Sequence, residues 1–187
     1  MTESNTLERV LSAIIGHCGP TLEGVKVSSL VNFKSLHGPW QTYKRQVKNY
    51  IGLEYYELKV AADHTLVLFY NPHLLEETLR RKDNQAFLRT FGYEDFSLGQ
   101  ALDYLRRRFS QICPHEMGIF LGYPLEDVTC FASCDHKNCL ATGYWKVYTN
   151  LDQAKATFKL YDQIKIRFQT LLGQGLLPST ILKEAMN

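Results

Sequence analysis

Residues 54–70, EYYELKVAADHTLVLFY, decide the fold class. The first part, YYELKV, alternates between polar and apolar positions, as a half-exposed strand does. AADH supplies a turn, and TLVLFY is an unbroken apolar run. Two such runs around a short polar turn predict a β-hairpin over 54–70. Because both faces of the second strand are apolar, it reads as a central strand rather than an edge.

Outward from the hairpin the pattern turns helical on both sides. Towards the N-terminus, Trp40, Tyr43, Val47, Tyr50 and Ile51 give an apolar face to a helix opening near Pro39. Val25, Val27 and Leu30 to Phe33 read as a strand. Leu7, Val10, Leu11, Ile14 and Ile15 mark a helix that should end near Gly16, with CGPTLEG (18–24) as a loop punctuated by glycine and proline. Towards the C-terminus, residues 72–91 read as two helical pieces broken around KDN. Ser97 caps a helix with Leu98, Ala101, Leu102, Leu105, Phe109 and Ile112 inward and Arg106, Arg107 and Arg108 at its C-terminal end. The arginines read as a solvated helix end, with a phosphate-binding patch as the alternative. Met117, Ile119 and Leu121 alternate, which predicts a short strand stopping at Gly122. Pro124 opens a helix with Glu126 and Asp127 in its first turn, GYWKVY (143–148) reads as a strand, and Asn150 caps a long helix ahead of a short terminal one. The whole predicts an α+β (or α/β) chain, one domain over 1–187, with a mixed sheet of about five strands packed by amphipathic helices.

The composition bounds the function. A chain 45% hydrophobic and 12% aromatic can bury a core. A formal charge of +2 gives no global support to nucleic-acid binding, and no apolar run reaches the length of a membrane span. The polar, acidic N-terminus MTESNTLERV does not resemble a signal peptide, so the expected location is the cytoplasm. Five cysteines in a reducing compartment argue against a disulfide framework and leave thiols that are buried, metal-bound or reactive.

Three groups of residues carry possible chemistry. Cys130, Cys134, His136 and Cys139 are the ligand types zinc prefers, yet their C-x3-C-x-H-x2-C spacing is not two separated CxxC-like pairs. The competing reading packs Cys130 inward beside Val128 and Phe131. His115, beside Glu116, offers an acid or base, a metal ligand or an axial haem ligand, against a plain role at a frayed helix end. Adjacent residues of an extended segment point to opposite faces, so His115 and Glu116 are not expected to line one pocket. Cys139, near Lys137 and Lys146, is a candidate thiolate nucleophile. None of the common nucleotide-binding, hydrolase or zinc-protease signatures occurs.

CGPTLEGVKVSSLVNF, HEMGIFLGYPLEDV and KNCLATGYWKVY, in that order, resemble the bacterial DUF3793 family over about Cys18 to Tyr161. The resemblance implies a bacterial protein of a kind found largely in anaerobes, and it implies no activity. Its motif falls on Pro20, Thr21 and Leu22. It continues through His115, Glu116, Gly118, Gly122, Tyr123 and Pro124, then Asn138, Cys139, Gly143, Tyr144, Trp145, Lys146 and Tyr148. Cys130, Cys134 and His136 lie where that pattern asks for neither Cys nor His. This weighs against a metal knuckle and singles out Cys139.

These readings converge on a protein that binds an unknown small molecule or cofactor, with His115 and Cys139 as polar anchors. Gly122, Tyr123, Pro124, Tyr144, Trp145 and Lys146 are the expected walls. Metal or haem is possible but unassigned. The alternatives are an enzyme with Cys139 as nucleophile, with His115 and Glu116 as further catalytic candidates, and an interaction module pairing through strand 144–148. If strands near 117–121 and 145 run parallel, His115 and Cys139 share one sheet edge while Gly122, Tyr123 and Pro124 lie at the other.

Overall fold

A computed structural model of the chain describes residues 3–111, 114–133 and 138–185. It divides into two compact units, one built from residues up to Asn71 together with those from Gln163 onward, the other from Pro72 to Asp162.

The first unit contains helix α1 (Glu3–Leu22), strand β1 (Ser28–Asn32), helix α2 (His37–Val47) and strands β2 (Glu54–Val60) and β3 (Thr65–Tyr70). The predicted hairpin is β2–β3, and β3 is central in an antiparallel sheet of order β1-β3-β2. Val67 and Phe69 of β3 join Val31, Phe33 and Trp40 in a core completed by Val10, Leu11, Ile14 and Ile15 of α1. The Trp40 indole stacks on Phe33 at 4.6 Å and meets Phe69 edge-on at 5.5 Å, while its Nε1 donates to Glu57 Oε1 at 2.8 Å. An aromatic cluster with its one polar atom satisfied fixes sheet to helix.

Helix α1 does not end near Gly16. It runs through Gly19 and Pro20 to Leu22, because that last turn is buried: Cys18 and Thr21 are inaccessible to solvent. A Cβ on Gly19 would lie 3.1 Å from the Phe168 ring, and the Thr21 and Ser29 hydroxyls bond at 2.8 Å. The helix stops at Gly24, whose φ is +70°. There Val25 N–H bonds Pro20 C=O and Gly24 N–H bonds Thr21 C=O, the pairing of a Schellman cap.

Behind this turn sits a buried pair with opposed pH responses. Burial, partly offset by Lys26 and Lys165, pushes the Cys18 thiol from 9.0 up to about 12. Burial also pulls Lys26 from 10.5 down to about 8, and its Nζ donates to the Ser28 carbonyl. Between pH 8 and 10.5 the unfolded chain holds more protons at Lys26, so this residue makes stability rise with pH. Between 9 and 12 the unfolded chain holds fewer at Cys18, so that residue makes stability fall. Where one group acts alone the slope approaches about 1.4 kcal/mol per pH unit. Urea titrations across pH 7.5–11 should show Lys26→Met removing the rise and Cys18→Ala removing the fall, each judged as a difference from the parent. A variant with the parent's pH slope would refute its assignment.

The second unit holds helices α3 (Pro72–Arg80), α4 (Lys82–Arg89), α5 (Leu98–Phe109), α6 (Met117–Phe120) and α7 (Leu125–Ala132), then strands β4 (Ala141–Thr142) and β5 (Lys146–Val147). Helix α8 (Leu151–Gly173) begins here and passes into the first unit at Gln163, and α9 (Pro178–Ala185) closes the first unit. The fold class is α+β, but among the described residues the expected mixed sheet of about five strands is replaced by two antiparallel sheets, of three and two strands. The reason lies at 117–121. Residues 117–120 are one buried helical turn, not a strand, and Leu121 follows it half-buried. A short run buried on every side carries no periodicity to separate helix from strand. With that strand gone, the parallel pairing with the segment through Trp145 goes too. Among the described residues no helix is long and apolar enough to cross a membrane.

Candidate functional site

Segment 114–146 of the second unit closes around a cavity of about 410 Å³. Its floor forms where α6 packs on α7. Gly118 permits this, since a Cβ there would come within 2.6 Å of a Val128 methyl. Gly122, at φ +74°, ends α6 with a second Schellman cap, in which Tyr123 N–H bonds Gly118 C=O and Gly122 N–H bonds Ile119 C=O. Gly122, one of the expected walls, thus serves to turn the chain. The cap delivers Tyr123 into the cavity wall, where its ring lies 5.0 Å from Trp145 at a 31° tilt. Met117, Val128, Phe131 and Pro114 complete the apolar lining. His115, Asp127, Thr142 and Lys146 supply the polar groups, and Gly143 contributes backbone.

Asp127 is the structural pivot. Its side chain is 2% exposed and accepts four hydrogen bonds. Oδ2 takes Trp145 Nε1 at 2.7 Å, while Oδ1 takes the Tyr148 and Thr149 amides at 2.8 and 2.9 Å and the Thr149 hydroxyl at 3.1 Å. One carboxylate thus clasps the first turn of α7 to the 145–149 segment and sets the orientation of the Trp145 indole. The edge of that indole also packs on Phe158, 4.5 Å away. Burial raises the Tyr123 phenol to about 12, so it is a neutral wall at physiological pH.

Two basic side chains border the cavity around a single ring. The His115 imidazole packs edge-on to Phe131 at 5.1 Å, and Lys146 Nζ sits over the same ring at 5.5 Å. Both are solvent-exposed. Glu116, one residue from His115, goes elsewhere. It is fully buried, ion-paired with Arg108 through Nε and, at 3.3 Å, through Nη2, with the Tyr93 hydroxyl at 3.4 Å. Arg106 and Arg107 are exposed, as a solvated helix end requires, whereas Arg108 belongs to this buried pair.

Of the residues expected at a site, the cavity gathers His115, Tyr123, Trp145 and Lys146. This corrects the two-edge expectation: with a helical turn at 117–120, His115 and Tyr123 flank one hollow. Glu116, Gly122, Pro124, Cys139 and Tyr144 are not among its lining residues. Cys139 is half-buried with Sγ 3.5 Å from the hydroxyl of Thr142, a lining residue, and no hydrogen bond among the described residues joins it to His115. Tyr144 turns to α8, donating to Asp162 Oδ1 at 2.8 Å, which together with burial raises its phenol. Cys130 is half-buried on α7. Cys134 and His136 lie outside the described residues, and among the described residues no group of three or more His, Cys, Asp or Glu can hold a metal ion.

Asp127, Phe131 and Thr142 were not anticipated as site residues. The signal for the first two was present: Asp127, Val128 and Phe131 stand at i, i+1 and i+4, one face of a helix. No curated protein and no solved structure matches the chain. The model of the family described as "Protein of unknown function (DUF3793)" matches residues 14–182, a span that contains every residue lining the cavity. With most of its length matched, the chain belongs to the DUF3793 family.

Proposed function

We propose that this protein binds a small molecule in the cavity formed by 114–146. The observation that carries the reading is the hollow itself. Its volume of about 410 Å³ lies within the range of small-molecule sites, about 300–1,000 Å³. Its wall is mainly apolar and aromatic with a few placed polar groups, which is the usual composition of such sites. His115 is one polar anchor, as expected from the sequence, and Lys146 takes the place intended for Cys139. A thiol reaction through Cys139 and His115 has no contact to support it.

The chain has two tryptophans, Trp145 in the cavity wall and Trp40 in the first unit's core, so it carries its own internal control. Screening a small fragment library by NMR should yield compounds that saturably shift the Trp145 indole N–H and the Met117 methyl while the Trp40 indole stays still. Failure of every fragment to move Trp145, or movement of Trp40 alone, would remove this site from consideration.

A further inference from the structure

The charge and shape of the same cavity identify the class of molecule it takes, an inference that rests on the site reading above. We propose that the ligand is a planar aromatic or conjugated anion, its flat body against the rings and its negative group between His115 and Lys146. Three observations carry this. The apolar wall is built of rings: Tyr123 and Trp145 lie 5.0 Å apart with a shallow tilt, and Phe131 is 39% exposed at the rim. Flat aromatic surfaces favour flat partners through offset or edge-on stacking.

The second observation is the sign of the available polar groups. His115 and Lys146 each stand within 5.5 Å of the centre of the Phe131 ring. Among the described residues Lys146 makes no ion pair, so its ammonium rests only on the ring face. A carboxylate or phosphate brought beside Phe131 therefore gains charge-assisted hydrogen bonds without displacing a protein anion.

The third observation excludes the opposite charge. Among the described residues Asp127 is the one acidic residue in the lining, and its oxygens already accept four hydrogen bonds from Trp145, Tyr148 and Thr149. An ammonium ligand would have to reach a carboxylate that is 2% exposed and already holds Trp145 in place. Among the described residues the cavity thus offers exposed donors, and its one carboxylate is buried.

Matched probes test this by calorimetry on the full chain: 2-naphthoate, neutral 2-naphthamide and cationic 2-naphthylmethylammonium. Naphthoate should bind about tenfold tighter than the amide at low salt, and the ammonium no tighter than the amide. Lys146→Met should abolish the naphthoate advantage, bringing the ratio of naphthoate to amide affinity to about one. His115→Gln should reduce that advantage severalfold. Binding of amide and naphthoate with equal affinity, tighter binding of the ammonium, or an advantage that survives Lys146→Met overturns the ligand class while leaving the site intact. Absence of binding by all three, together with a fragment screen that never moves Trp145, overturns both.

Discussion

Asp127→Ala will lower stability by about 3–4 kcal/mol and release the 145–149 segment. The substitution strips the acceptor from Trp145 Nε1, two backbone amides and a hydroxyl at once. A buried donor left unsatisfied costs about 1–3 kcal/mol. The full sum does not apply, because Tyr148 and Thr149 are only half-buried and water can reach part of the gap. Asp127→Asn keeps the shape and one acceptor oxygen, so it should lose roughly half as much. Urea unfolding gives the energies, and hydrogen exchange at the Tyr148 and Thr149 amides gives the location: protection there should fall in the alanine variant before it falls in β3. An Asp127→Ala protein within about 0.5 kcal/mol of the parent, the range of ordinary surface changes, would show that the clasp carries no weight.

The second large effect is expected at Arg108. Glu116 is inaccessible to solvent, and Arg108, itself 22% exposed, holds its charge in place. Removing the guanidinium leaves a buried carboxylate without a counter-ion, for which about 3–5 kcal/mol is typical. Arg108→Met should therefore be strongly destabilising. Glu116→Gln should be milder, because a neutral amide can still accept from Arg108 and from Tyr93. Adding Glu116→Gln to Arg108→Met should recover part of the loss, since the orphaned charge disappears. If the two changes simply add in a double-mutant cycle, the pair is not coupled as the geometry requires.

The hairpin at 54–70 was legible because its two strands differ in kind: YYELKV alternates as an outer strand does, and TLVLFY is apolar on both faces as a central one must be. The long helix bearing Ala154, Phe158, Tyr161, Ile164, Phe168 and Leu171 was legible for a similar reason, since repeated apolar positions over many turns leave one period only. Two of the segments that misled show why. Gly16, Gly19 and Pro20 look like punctuation, but burial of Cys18 and Thr21 holds the helix through them. The alternation of Met117, Ile119 and Leu121 came from a short run whose first four residues are all buried, where any period fits.

The site divides along the same line. The sequence by itself determined the α+β class, the central strand, the helix starts after Ser97, Pro124 and Asn150, and the chemical types at the cavity, where His115, Tyr123, Trp145 and Lys146 were already candidates. These follow from local patterns of burial and charge, which the order of residues records directly. Only the tertiary structure decided which of these side chains meet. It put His115 and Tyr123 on one hollow by turning 117–120 into helix, left Cys139 beside Thr142 instead of in the wall, and occupied Asp127 with four donors from 145–149. Contacts between segments distant in the chain depend on the path between them, and here one helical turn in place of a strand redirected that path.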